Sequence, residues 1–193
     1  MKFLLIRHCE TDWNREKRLQ GHTDIPLSDY GREQALCLAG DLMKQGDIAR
    51  IISSDLERAT ETARIIAQHF AAEMPRGLFA TEDQRLRECS FGQLEGKTWE
   101  EIEREFLVRK TGRAYIYTGD DDPYDFTQFG GERRDDVIRR HVGLLDDVVR
   151  RTKSVDRECV LLVGHSTALN TLLSHFDLPT GLRRGEIREL TYP

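Results

Sequence analysis

No apolar run in this chain approaches the roughly 20 residues needed to cross a bilayer. The short Phe3-Leu4-Leu5-Ile6 run is interrupted by Arg7, too early for a signal peptide. The expectation is a soluble cytoplasmic protein with no membrane partner. Positive charge is not in excess: 29 Lys and Arg stand against 34 Asp and Glu, for a net charge of −5. The chain as a whole therefore exerts no pull on nucleic acid or anionic lipid, and an anionic ligand would have to be held by local cations. Cysteine is scarce, and Cys9, Cys37, Cys89 and Cys159 form no CxxC pair, so reduced thiols are expected. The histidines lack paired ligand spacing, and Asp120-Asp121-Asp122 lacks the EF-hand pattern, so no metal is expected. Repeats, low-complexity tracts and linkers are also lacking.

What is present reads as one ordinary globular domain over residues 1–193: 38% hydrophobic, 33% charged and long enough for a substantial core. Met1 to Ile6, Ile48 to Ser53 and Cys159 to Val163 are short apolar runs with the length of buried strands, and residues 186–192 suggest a last one. Apolar positions recur at helical spacing after Ser28, which can cap a helix that Gly46 closes. They recur again after Ser54-Asp55-Leu56-Glu57, which fits a capping box. Further helices are expected over Thr98 to Phe106, over Glu132 to Arg151 and from about Thr167. Residues 12–27 and 78–97 read as irregular. Residues 97–131, rich in Gly and Asp towards their end, read as a lid or specificity excursion. Alternation of strands and helices argues for an α/β fold, a three-layer sandwich with a mostly parallel central sheet flanked by helices.

In such folds ligands sit beyond the carboxyl ends of the strands. Arg7-His8 follows the first strand, Gly164-His165 follows the Val160 run, and Arg58 falls in a helix first turn, where N–H groups favour an anion. Two guanidinium groups suit bidentate phosphate recognition. An imidazole with one nitrogen held as a donor and the other free is a competent nucleophile. The spacing is compatible with convergence but does not require it: His8 alone could be a structural histidine and Arg58 a surface one.

Leu5-Ile6-Arg7-His8-Cys9-Glu10-Thr11 resembles the signature of the histidine phosphatase superfamily, the phosphoglycerate mutase-like proteins. Further blocks follow in order: Arg18-Leu19-Gln20-Gly21-His22-Thr23, Ser53-Ser54-Asp55-Leu56-Glu57-Arg58-Ala59, Leu86-Arg87-Glu88 with Glu95-Gly96, Gly130-Gly131-Glu132 and Val163-Gly164-His165-Ser166. The resemblance implies metal-independent, cofactor-free hydrolysis of small-molecule phosphomonoesters. His8 would be transiently phosphorylated, Arg7, Arg58 and His165 would clasp the phosphoryl oxygens, and Glu88 would act as acid and then base. Asn14, Gln20, Gly21 and Ser166 would complete the pocket. Glu82, Asp83 and Glu95 are alternative carboxylates.

The chain departs from the family pattern at Cys9 and Ser166, where glycine is usual, with activity expected to survive. Cys89 stands where mutases carry a substrate-binding arginine, and Phe91 where they carry tyrosine. This favours a phosphatase similar to α-ribazole or broad-specificity phosphatases, acting on α-ribazole 5′-phosphate or a sugar phosphate. The alternatives are mutase-type phosphoryl transfer and a silent phosphate-binding or interaction module. Lys97, Arg104, Arg109, Lys110 and Arg113 could bind a second acidic group. Cys9 and Cys89 would be a redox pair if their loops met. His22, His69, His141 and His175 read as surface or core-edge residues, the paired arginines Arg133-Arg134, Arg139-Arg140, Arg150-Arg151 and Arg183-Arg184 as solvated surface, and Trp13 and Trp99 as packing or pocket wall. A homodimer is the expected alternative to a monomer.

Overall fold

Three apolar runs become adjacent central strands in the structure, a computed structural model that describes residues 1–46, 48–73, 78–106, 125–152 and 159–193. The strands are β1 (Lys2–Arg7), β2 (Ile48–Ser53), β3 (Ala80–Glu82), β4 (Cys159–Gly164) and β5 (Ile187–Thr191). They form one sheet in the order β3-β2-β4-β1-β5, parallel except for β5. The helices are α1 (Asp12–Arg15), α2 (Asp29–Met43), α3 (Glu57–Glu73), α4 (Trp99–Phe106), α5 (Arg134–Arg151) and α6 (Ser166–His175).

The period-two alternation of strand side chains divides the core into two layers. Leu4, Ile6, Leu161 and Val163 pack against α2 and α3, whereas Phe3, Leu5, Val160 and Leu162 pack against α5 and α6. Each such side chain, fully buried, contributes roughly 1.5–3 kcal/mol. The expected α/β three-layer sandwich with a mostly parallel sheet is therefore observed. A third cluster, including Cys89, Phe91, Leu94, Ile102, Phe126 and Phe129, packs beside the strand ends.

Several local expectations need correction. Ser28 does cap α2, its hydroxyl accepting from Gly31 N–H at 3.0 Å. Ser54 does not cap α3: its hydroxyl accepts from Leu56 N–H, a local turn, and the helix begins at Glu57. The supposed loop at 12–27 contains α1, closed by a reciprocal box between Thr11 and Asn14. The irregular 78–97 stretch contains the short edge strand β3. Of the expected excursion, residues 97–106 and 125–131 are described, the former being largely α4 and the latter a single turn (Thr127–Phe129). Residues 107–124, with Arg109, Lys110, Arg113 and Asp120 to Asp122, lie outside the described residues. No described helix is long and apolar enough to cross a membrane.

Candidate active site

The register of β1 against β4 sets Arg7 beside Gly164, and His8 N–H donates to Gly164 C=O at 2.9 Å. His8 and His165 thus leave neighbouring strand ends side by side, their ring centres 5.2 Å apart. The next strand, β2, runs through Ser54, whose N–H donates to Val163 C=O, into α3 and Arg58. Three adjacent strands therefore deliver the nucleophile candidate, the second histidine and the buried arginine to one point.

Hydrogen bonds fix the tautomers. A carbonyl can only accept, so the 2.7 Å contact of His8 Nδ1 with Cys9 C=O places a proton on Nδ1 and leaves the Nε2 lone pair free. Burial, reinforced by the charges of Arg58 and Arg7, holds His8 well below the usual imidazole range, so the ring is neutral. Arg58 Nε donates to His165 Nδ1 at 3.3 Å, which places the His165 proton on Nε2. Burial and the Arg58 charge keep that ring neutral as well. Both His165 Nε2 and Arg7 Nε are buried without a hydrogen-bond partner among the described residues. Burial lowers Arg7 and Arg58 to about 10, still cationic at neutral pH. Unsatisfied buried donors and two cations in one place have the chemistry to hold an anion.

Arg58 has no exposed surface. Besides His165 it donates to Gly21 C=O at 2.7 Å and Thr23 C=O at 2.9 Å, so it anchors the loop that carries Gln20 and Gly21. Gln20 Nε2 donates to the Thr11 hydroxyl, and Asn14 Oδ1 accepts from Thr11 N–H, tying α1 to the same wall.

Glu88 arrives from outside the sheet and caps α6. Its Oε1 accepts from Ala168 and Cys89 N–H at 2.8 and 2.9 Å, and its Oε2 from Thr167 N–H at 3.1 Å. A carboxylate at a helix N-terminus is favourably placed against the dipole. Its backbone carbonyl is gripped by Arg140 and by His22 Nε2, both at 2.8 Å. Arg140 also donates to the carbonyls of Arg85 and Arg87 and pairs with Glu132 at 3.1 Å.

A cavity of about 320 Å³ opens over these groups, large enough for a small-molecule ligand. Arg7, His8, Arg58, Glu88, Asn14, Gln20, Gly21 and Ser166 line it, while His165 lies buried behind them. Trp99 lines it as the expected pocket wall, and Arg18, Leu19, Phe91, Phe126, Thr167 and Asn170, which the sequence did not single out as pocket residues, line it too. Of the alternative carboxylates, Glu82 is exposed on the edge strand, Asp83 pairs with Arg85, and Glu95 binds loop amides. Trp13 does not reach the cavity and faces Gly96. Cys9 and Cys89 are free thiols buried in separate core clusters, so the condition for a redox pair between them is not met. No group of metal-binding side chains occurs among the described residues.

Residues 3–190 match the model of the histidine phosphatase superfamily (branch 1). The chain belongs to that superfamily. It is 36% identical over 180 residues to the probable phosphoglycerate mutase GpmB of Yersinia pestis, a match covering 90% of this chain and 74% of the relative. Phosphoglycerate mutase-like protein 4 of Arabidopsis thaliana is 40% identical over 103 residues, 53% of this chain but only 43% of that protein's length. Among solved structures, the mycobacterial glucosyl-3-phosphoglycerate phosphatase Rv2419c in complex with VO3 superposes with a TM-score of 0.78 at 28% identity, covering 98% of this chain and 92% of its own. Superfamily relatives thus include both phosphatases and mutases.

Proposed function

We propose that the protein is a metal-independent phosphatase that hydrolyses small-molecule phosphomonoesters through a phosphohistidine on His8. The observation that carries this reading is the tautomer of His8. Its Nδ1–H is committed to Cys9 C=O, which leaves the Nε2 lone pair free on a ring that lines the same cavity as Arg7 and Arg58 and whose centre lies 5.2 Å from that of His165. In the first step Nε2 attacks phosphorus in line. The bond to the leaving oxygen breaks, and that oxygen takes a proton from Glu88. In the second step Glu88 accepts a proton from water as its oxygen attacks phosphorus, the N–P bond breaks, and inorganic phosphate leaves. Arg7, Arg58 and His165 bind the equatorial oxygens, and Asn14, Gln20, Gly21 and Ser166 complete the pocket. Guanidinium donors supply the charge stabilisation that a metal supplies elsewhere.

Hydrolysis is favoured over transfer because Cys89 is buried in the core, where mutases carry a substrate-binding arginine. The apolar part of the lining, Leu19, Phe91, Trp99 and Phe126, suits a flat or weakly polar leaving group, such as α-ribazole or one face of a sugar ring, and Arg18 and Asn170 add polar contacts to it. The mutase names carried by relatives at 36% identity support the second reading, phosphoryl transfer between positions of one substrate. Phosphate release from p-nitrophenyl phosphate in excess EDTA, with wild type beside His8→Ala, tests the first. Turnover lost in the variant supports it, and equal turnover in both removes it. Isomerisation of 3-phosphoglycerate faster than phosphate release would favour the mutase.

A further inference from the structure

Glu95 does not line the cavity, yet both halves of the site close on its carboxylate. Oε2 accepts from Thr23 N–H and from the Thr23 hydroxyl, at 2.9 and 2.8 Å. Oε1 accepts from His22 N–H and Phe91 N–H, each at 3.0 Å, and from the Ser90 hydroxyl at 3.4 Å. No lysine or arginine pairs with it among the described residues. A single anion is therefore held by five loop donors, and hydrogen bonds to an ionised acceptor are about twice as strong as neutral ones.

The two loops it joins carry different chemistry. The first, through Gly21 and Thr23 carbonyls, holds the Arg58 guanidinium, and its His22 ring grips Glu88 C=O. The second runs from Glu88 to Phe91. Gly21 has φ +55°, and a Cβ there would collide with the Glu95 side chain, so the close approach requires glycine.

We propose that Glu95 is a positioning residue that fixes the distance between the phosphate held by Arg58 and the proton donor Glu88. This rests on the reading of Glu88 as the acid. The glutamate acts through the two loops and touches neither substrate nor reacting atoms. A shift of about 1 Å between acid and leaving oxygen is enough to cost roughly 100-fold in rate. The loss would fall on the proton-transfer step above all.

That selectivity supplies the test. Phenyl phosphate and p-nitrophenyl phosphate have similar shapes, but phenolate needs a proton to leave and p-nitrophenolate does not. The ratio of their kcat/KM values would be measured for wild type, Glu88→Gln, Glu95→Gln and Thr23→Val, with circular dichroism confirming the fold. Glu95→Gln is expected to lose about tenfold more activity on phenyl than on p-nitrophenyl phosphate. Thr23→Val, which removes one bond to Oε2, should move the ratio less in the same direction. A merely structural role would lower stability or the active fraction and leave the ratio alone. If Glu88→Gln shifts the ratio and folded Glu95→Gln does not, the positioning role is overturned; if Glu95→Gln does not fold, Thr23→Val decides in the same way. If Glu88→Gln itself leaves the ratio unchanged, the assignment of the acid fails, and the role of Glu95 falls with it.

Discussion

Arg58 Nε donates to Nδ1 of His165 at 3.3 Å, and this contact leaves the imidazole proton on Nε2. One buried cation therefore performs two tasks. It sets the tautomer of His165, the proposed phosphate ligand, and through Gly21 and Thr23 carbonyls it shapes the loop opposite.

Arg58→Lys keeps the charge but cannot make three directional bonds from one planar group. The expected result is a kcat/KM lower by roughly 100- to 1000-fold on p-nitrophenyl phosphate. Steady-state kinetics check this, and a loss under about threefold would mean that the charge alone suffices.

Arg140→Met removes the grip on the carbonyls of Arg85, Arg87 and Glu88 while keeping much of the side-chain volume. The rate should fall roughly tenfold or more through displacement of Glu88. Competitive inhibition by inorganic phosphate, which reads the Arg7–Arg58–His165 clasp, should change far less. Equal losses in both measurements would contradict this division.

Gly21→Ala should be destabilising as well as inactivating. The position has φ +55°, and the new methyl would meet the Glu95 carboxylate. A cost of about 1–3 kcal/mol in urea unfolding is expected.

Acid should destabilise the protein through its buried histidines. His8 and His165 lie well below the usual imidazole range because of burial, and burial beside Arg140 lowers His141 to about 3. All three are neutral in the folded state, whereas the unfolded chain binds protons near 6.5, so their contribution is complete above 6.5 and is lost as pH falls towards their folded values. For His141 alone the loss by pH 5 is on the order of 2 kcal/mol. Urea midpoints at pH 7, 6 and 5 should fall steadily, and a flat profile would show that these rings gain protons without unfolding.

Thiol chemistry should report packing and not regulation. Cys37 is exposed, while Cys9 and Cys89 are buried, with burial raising Cys9 to about 11 and Cys89 higher still. Iodoacetamide at neutral pH is expected to label Cys37 first in the native protein. Activity should persist after mild oxidation; its loss with a Cys9–Cys89 crosslink would revive the redox switch.

What the sequence made legible follows from how local each signal is. β1 and β4 carry continuous apolar runs (Phe3–Ile6 and Val160–Val163), and their ends place Arg7, His8 and His165 directly, while β2 is an apolar segment broken by Arg50. β3 has three exposed residues and no pattern to read, so only its pairing with β2 reveals it. α1 is too short for periodicity, although the Thr11–Asn14 spacing was an available cap signal. Arg140 was read as solvated because nothing in its neighbourhood in the chain announces the carbonyls it holds more than 50 residues away. His141 could have been found: with Val137, Leu144, Leu145 and Val148 it completes one buried helical stripe. Of the aromatic wall, Trp99 is legible in the sequence as packing or pocket wall, whereas Phe126 is legible only as part of a lid or specificity excursion, with no pattern of its own.

The pairing of β1 with both β4 and β5 has a consequence for synthesis. Strand β1 must wait for both of its sheet neighbours until more than 150 further residues have been made. Until then Phe3 to Ile6 presents two unpaired hydrophobic edges, and contacts so distant in sequence form slowly. The nascent chain is therefore most exposed to aggregation, and most in need of chaperones, during translation. His8 acquires its partner histidine only after 157 further residues have been made.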